Sequence, residues 1–237
     1  MTAAAFFDVD RTLLRRSSTH ALAGSFRAAG VIGVRHLVRA ALWELVFIAY
    51  GLSAETIARR AERAMWLLRG FRVEDLGQLV ADAMEPVLKP LLFSEPLELV
   101  EQHRARGERV YLVTGALQEV ADALAAELRL DGALGSKCEV EGGVYTGRML
   151  AGLYGAAKAD AVRELAAREA VDLAASTAYS DGAADLPFLE VVGHPVAVNP
   201  DRRLRRIARE RGWPVLEFRA PTGARRLAAR SARRRAA

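Results

Sequence analysis

Ala3-Ala4-Ala5-Phe6-Phe7-Asp8-Val9-Asp10-Arg11-Thr12-Leu13 is the stretch that decides the fold. Apart from Asp8, the run from Ala5 to Val9 is apolar, as expected of a short strand covered on both faces by helices. Side chains two apart on an extended chain point the same way, so Asp8 and Asp10 face one spot beyond the strand's carboxyl end. Open α/β sheets bind ligands at that edge. Two carboxylates this close repel unless a cation or a phosphoryl group organises them, which points to a metal-assisted site. Taken alone the pair is a weak signal, because two acids beside a turn are more often solvated loop residues.

Three later segments repeat the pattern of a polar group at a strand end or helix start. Arg109 to Val113 reads as a strand ending in Thr114-Gly115-Ala116, with a helix from Gln118 to Leu128 directly behind it. That spacing puts a hydroxyl and a glycine at a helix start, where free backbone N–H groups and the dipole favour an anion. Tyr154-Gly155-Ala156-Ala157-Lys158 opens a helix that runs to about Glu169. A lysine is electrostatically out of place at that end unless a phosphate or carboxylate lies nearby. Ser176 to Ser180 reads as a strand ending in Asp181-Gly182-Ala183-Ala184-Asp185-Leu186-Pro187, again acids at a carboxyl end. In a doubly wound sheet all these ends converge on one edge.

Between the first two strand signals, residues 17–90 are almost purely helical, whereas one β-α unit needs only about 30 residues. The excess predicts a helical insert standing over the end of the first strand. Further on, Cys138 to Glu141, Gly142-Gly143 and Val144 to Gly147 read as a hairpin. Pro195 to Val198 and Trp213 to Phe218 read as short strands flanking an arginine-rich helix at 202–211.

Taken in this order, the motifs resemble the haloacid-dehalogenase-like (HAD) superfamily, and within it the phosphoserine-phosphatase-like branch (subfamily IB). Asp8-Val9-Asp10-Arg11-Thr12 matches the family's Asp-x-Asp-x-Thr, and Val113-Thr114-Gly115 its second motif. Lys158 matches the third, and Asp181 to Pro187 the Asp-x-x-x-Asp-Leu-Pro of the fourth. The resemblance implies an α/β fold: a Rossmann-like doubly wound parallel sheet core, residues 1–16 plus 91–218, with an inserted α-helical cap at 17–90. It implies a phosphatase in which Asp8 is the nucleophile forming an aspartyl-phosphate, and Asp10 is the proton carrier. Mg²⁺ would be held by Asp8, Asp181 and the backbone carbonyl of Asp10. Thr114, Gly115 and Lys158 would bind the substrate phosphate, with Asp185 orienting Lys158 or a metal-bound water. A phosphotransferase or phosphomutase on the same scaffold is the alternative outcome.

Two departures bear on the substrate, expected to be a small-molecule phosphate ester. Arg11 stands where the family usually has a small residue. Phosphoserine phosphatases carry a Glu shortly after the first motif to read the substrate amino group, about where Ser17 and Ser18 stand, and no acid occurs between Asp10 and Glu44. Phosphoserine is therefore not the expected substrate. The cap region is instead apolar and aromatic (Trp43, Phe47, Tyr50, Trp66), and most of these side chains are expected to form the cap's own core or its contact with the sheet.

Bulk properties bound the rest. The chain has 237 residues, 51% hydrophobic and 27% charged, a globular balance. Its formal charge is +5. Seven arginines and no acid fall in residues 219–237, and subtracting them leaves −2 for residues 1–218. That basic, low-complexity tail is expected to be disordered. It predicts at most a weak contact with an anionic surface, with no nucleic acid required for function, and a binding protein that uses this tail is the remaining alternative reading. The single Cys138 excludes an intrachain disulfide and fits a reducing compartment. The amino-terminal stretch does not read as a signal peptide, and the longest apolar run is far short of the ~20 residues of a membrane span. A cytoplasmic enzyme is expected. The four histidines (His20, His36, His103, His194) show no metal-ligand spacing and are expected to be structural or exposed.

Overall fold

The four residues of β1, Ala4–Phe7, are all buried, and they alternate between two separate cores. Ala5 and Phe7 face one side with Val110 and Leu112, while Ala4 and Phe6 face the other with Tyr111 and Val113. A strand can be apolar on both faces only when helices cover both, and they do. The structure is a computed structural model and describes residues 2–30, 32 and 54–219.

The remaining strands are β2 (Arg109–Leu117), β3 (Gly132–Glu141), β4 (Val144–Ala151), β5 (Thr177–Ser180), β6 (His194–Val198) and β7 (Val215–Leu216). They form one sheet in the order β4-β3-β2-β1-β5-β6-β7, parallel except for β4. The helices, numbered as described, are α1 (Ser18–Ala28), α2 (Ala54–Met65), α3 (Val73–Ala83), α4 (Ser94–Ala105), α5 (Gln118–Glu127), α6 (Ala156–Glu169), α7 (Leu186–Glu190) and α8 (Arg202–Glu210). Residues of α4 and α5 join the Phe7 core, and those of α6, α7 and α8 join the Phe6 core. The expected α/β sheet with helices on both faces is thus present. Among the described residues, no helix is long and apolar enough to cross a membrane.

Among the described residues, the chain between β1 and β2 contains helices and no named strand, continuing past α3 through a wide turn at Met84–Leu88 and a short helix at Lys89–Leu91. Its two connections to the sheet are bonded to each other: Arg15 N–H donates to Leu91 O (2.8 Å) and Phe93 N–H to Leu13 O (3.0 Å). Leu22, Leu68, Leu76 and Val80 from this segment pack into the same core as Phe7. Residues 70–73 also line the outer edge of β4, with Gly70 N–H on Tyr145 O (2.8 Å) and Tyr145 N–H on Phe71 O (2.9 Å). This covers part of an edge strand that would otherwise present unpaired backbone groups.

The Gly142-Gly143 hairpin forms as expected, both glycines having positive φ (58° and 80°). Three expectations need correction. Trp66 is 62% exposed and is not core, because it sits in the short helix Trp66–Leu68 of which only Leu68 is turned inward. The last strand shrinks to Val215–Leu216, because the N–H of Phe218 bonds the Asn199 side chain (2.8 Å) and not a neighbouring strand. The hairpin's first strand begins earlier than expected, at Gly132, pairing in parallel with β2 before it turns. Trp43, Phe47, Tyr50, His36 and the arginines beyond residue 219 lie outside the described residues.

Behind the sheet, His103 is buried with Nε2 2.8 Å from Tyr179 Oη and Nδ1 within 2.7 Å of Arg106. Burial lowers its pKa and outweighs the pull of Glu108, which lies on the same edge of the ring. A histidine held neutral takes up its proton more readily when unfolded, so stability falls as pH drops below about 6.5. Glu108 is shifted down by Arg106 and His103 against its own burial, and adds a second loss below about 4.5. Other groups titrate in the same window, so the His103 contribution is read as a difference: in urea titrations from pH 8 to 5 the wild type should lose stability relative to His103→Gln as pH falls through about 6.5. Equal slopes would remove His103 as the cause.

Candidate active site

The β1 ladder continues one residue beyond the strand, since Asp8 N–H donates to Tyr179 O (2.9 Å). This fixes the Asp8 backbone and turns its side chain into the protein, where only 6% of the residue is exposed. The chain then doubles back. Leu13 N–H and Leu14 N–H both donate to Val9 O (2.9 Å each), and Arg11 takes a positive φ of 65° to close the turn. A side chain other than glycine pays a cost of roughly 1 kcal/mol there. The turn brings Asp10 to the start of α1, where its Oδ1 accepts from Ser18 N–H (2.8 Å). Asp10 thus caps α1 from eight residues upstream, using an N–H that the helix itself cannot satisfy.

Strand register aligns the other motifs with Asp8. Phe7 lies opposite Leu112 of β2 and Tyr179 of β5, so Thr114 and Asp181 follow just past the end of β1 on either side. Thr114 is buried, and its Oγ1 accepts from Ala116 N–H (3.1 Å). Here an expectation is corrected: Thr114 and Gly115 are not at a helix start. Both lie inside strand β2, which runs on to Leu117 with a register shift after Val113, while the following helix α5 begins at Gln118 as expected. The Gln118 side chain, bonded to Gly135 N–H (2.8 Å) and Ala133 O (3.1 Å), ties that helix start to β3.

Lys158, in the first turn of α6, is 2% exposed, and its Nζ donates to Asp8 Oδ1 (2.6 Å) and Asp185 Oδ2 (2.7 Å). The ammonium also lies 4.7 Å over the Phe188 ring. Ser180 Oγ donates to the same Asp185 oxygen (2.7 Å), so Asp185 is fixed from two sides. Asp181 follows β5, and its carbonyl accepts from Asp201 N–H (2.9 Å). Asp201 then reaches back to Ala183 N–H (2.9 Å) through Oδ2 and caps α8 at Leu204 N–H (2.7 Å) through Oδ1. Sequence reasoning passed over Ser180 and Asp201. Their only signal was position, one residue before Asp181 and at the start of an arginine-rich helix.

The electrostatics follow from enclosing these groups. Burial raises Asp8 to about 7, with Asp185 and Asp10 adding to the rise and Lys158 opposing it. Asp181 is pushed well above the usual carboxylate range by burial and then by the charges of Asp8 and Asp185. Asp10 is raised by burial against the Ser18 N–H. Burial alone would lower Lys158, but Asp185 and Asp8 outweigh it and keep the ammonium charged. Arg11 exerts a charge effect on both Asp10 and Asp181 that opposes their rise. Cys138, half-buried in the hairpin, has its thiol pushed up to about 11 by burial, which disfavours the reactive thiolate.

Among the described residues, no three His, Cys, Asp or Glu side chains are gathered to hold a metal by themselves. A set of two carboxylates, Asp8 and Asp181, with the Asp10 carbonyl is all oxygen, which suits a hard cation that keeps several waters. The mutual repulsion of Asp8 and Asp181 is what such a cation would relieve.

Residues 5–190 match the family described as haloacid dehalogenase-like hydrolase. The chain belongs to that family. Within it this HAD chain falls in the phosphoserine-phosphatase-like branch and is a phosphatase. It is 39% identical over 219 residues to the "Inhibition of morphological differentiation protein" of Streptomyces azureus, covering 92% of this chain and 79% of that one. It is 37% identical over 234 residues to "Phosphoserine phosphatase SerB1" of Mycobacterium tuberculosis, covering 98% and 76%. Among solved structures it resembles a protein of unknown function from Bordetella pertussis Tohama I, with a TM-score of 0.76 at 29% identity over 91% of this chain and 99% of that one.

Proposed function

We propose that this HAD phosphatase is a Mg²⁺-dependent phosphomonoesterase that works through an aspartyl-phosphate on Asp8 and acts on a small organic phosphate other than phosphoserine. The observation that carries the reading is the buried Asp8–Lys158–Asp185 chain at the carboxyl end of β1, with Asp10 held separately by α1. Two carboxylates two residues apart thereby have different surroundings, as a nucleophile and a proton carrier need.

In the first step an Asp8 oxygen attacks phosphorus, the bond to the leaving oxygen breaks, and Asp10 gives that oxygen its proton. In the second step Asp10 takes a proton from water as the water attacks phosphorus, and Asp8 is released with inorganic phosphate. Lys158 and the Thr114 hydroxyl face the charge that builds on the phosphoryl oxygens. Mg²⁺ on Asp8, Asp181 and the Asp10 carbonyl would supply further positive charge to those oxygens. Residues 17–90 act as a cap over a core of 1–16 plus 91–218, a division supported by the paired connections at 13–15 and 91–93.

Residues 11–43 contain six arginines and no acid, so the segment following the nucleophile offers no carboxylate to an ammonium group. Release of inorganic phosphate from sugar, carboxylated and aryl phosphates should therefore exceed release from phosphoserine. The name of the mycobacterial relative makes phosphoserine the compound to beat in that panel. Chelation by EDTA should bring turnover to background, and added Mg²⁺ should restore it. Full activity after chelation would remove the metal from the scheme.

A further inference from the structure

The carbonyl of Gly115 accepts two hydroxyl groups, Tyr154 Oη (2.7 Å) and Ser136 Oγ (2.9 Å). Ser136 Oγ accepts in turn from Leu153 N–H (3.1 Å), so the end of β2, the middle of β3 and the loop before Lys158 meet at one oxygen. The Tyr154 ring fills the space beside Gly115: a Cβ there would lie 2.3 Å from Tyr154 Cε1. The same ring lies against Gly152 on its other side, where an added Cβ would lie 3.2 Å from Cδ2. Tyr154 is thus slotted between two glycines with its hydroxyl fixed on the Gly115 carbonyl. Burial raises the phenol to about 12, so it stays a donor at working pH.

A trans peptide is planar, so holding the Gly115 carbonyl also aims the Ala116 N–H on the opposite side. That N–H donates to Thr114 Oγ1 (3.1 Å). With a lone pair so engaged, the hydroxyl's single proton is left to donate elsewhere. We propose that Tyr154 and Ser136 are positioning residues that aim the Thr114 hydroxyl at the phosphoryl group, acting through the Gly115 carbonyl and the Ala116 N–H. The inference rests on the phosphatase reading above. It explains why position 115 is glycine at all, since no positive φ requires one there.

The test uses Tyr154→Phe, which removes the hydroxyl but keeps the ring, and Ser136→Ala as an independent break in the same clamp. Steady-state hydrolysis of p-nitrophenyl phosphate with Mg²⁺, calorimetric binding of inorganic phosphate and the thermal midpoint are measured for each. Small misplacements of a binding group are costly, so kcat/KM should fall about 10-fold and phosphate should bind several-fold more weakly with little change in midpoint. In a Thr114→Val background, Tyr154→Phe should add almost nothing, because both changes act on one hydroxyl. Unaltered phosphate binding in both single variants, or full additivity in the Thr114→Val background, overturns the proposal and leaves the phosphatase reading intact. A wild-type protein that neither hydrolyses the ester nor binds phosphate overturns both.

Discussion

Asp8→Asn is expected to lower phosphate release by on the order of 10⁴-fold or more, the scale reached when an enzyme loses its nucleophile. The amide keeps the size of the carboxyl group, and Lys158 keeps its other partner, Asp185, so the loss should come from chemistry and not from unfolding. Stability gives an independent check. Burial raises Asp8 to about 7 in the metal-free protein, so the folded state holds a proton that the unfolded chain has already released. Stability from this group is present below about 4 and is lost as pH rises through about 7. Asparagine has no proton to lose. Metal-free Asp8→Asn should therefore melt at or above the wild-type temperature at pH 8, and calorimetry at pH 5 and 8 measures the difference. Residual turnover of a few per cent with the same Mg²⁺ dependence would move the nucleophile elsewhere.

Lys158→Met should damage both activity and fold. The ammonium bonds Asp8 and Asp185 in a site where all three side chains are largely enclosed. Removing one partner of a buried ion pair leaves uncompensated charge, at a cost of about 3–5 kcal/mol. Losing one fixed positive group from a phosphoryl-transfer site costs on the order of 10²–10³ in kcat. The two effects separate by pH. Below about pH 7 Asp8 takes up a proton and the stability deficit should shrink, while activity stays lost. Urea midpoints at pH 5.5 and 8 read this directly. A deficit that is the same at both, or absent at pH 8, would mean the carboxylates are paired by another group.

How much of this was legible in the sequence depended on distance along the chain. The strand leading to Asp8, the Gly-Gly hairpin and the lysine at a helix start announce themselves within a few residues, through apolar runs, turn residues and an out-of-place charge. Ser18 was read for its side chain, as the place where a substrate-binding acid is missing. Its backbone N–H is what matters, and no residue type signals that. Tyr154 on Gly115 and His103 on Tyr179 join positions 39 and 76 residues apart, and a single sequence gives no reason to pair them. Strand β2 outlasts its expected end at Val113 and takes in Thr114-Gly115, because a strand that slips register before ending has no local signature. Trp66 misled for a simpler reason: aromatic character predicts burial only on average.

The position of β1 between β2 and β5 bears on how the protein is made. Asp8 and Lys158 are 150 residues apart in sequence, and Ala4 N–H reaches its partner Ser176 across 172. During synthesis the apolar first strand must wait for most of the chain before both its edges are paired. Contacts this distant slow folding, and an unpaired apolar strand is open to association in the interval. Under the proposed mechanism the same topology delays the chemistry, since a nascent chain that ends before β5 has Asp8 but neither Asp181 nor Asp185. Hydrolytic competence and completion of the sheet therefore arrive together.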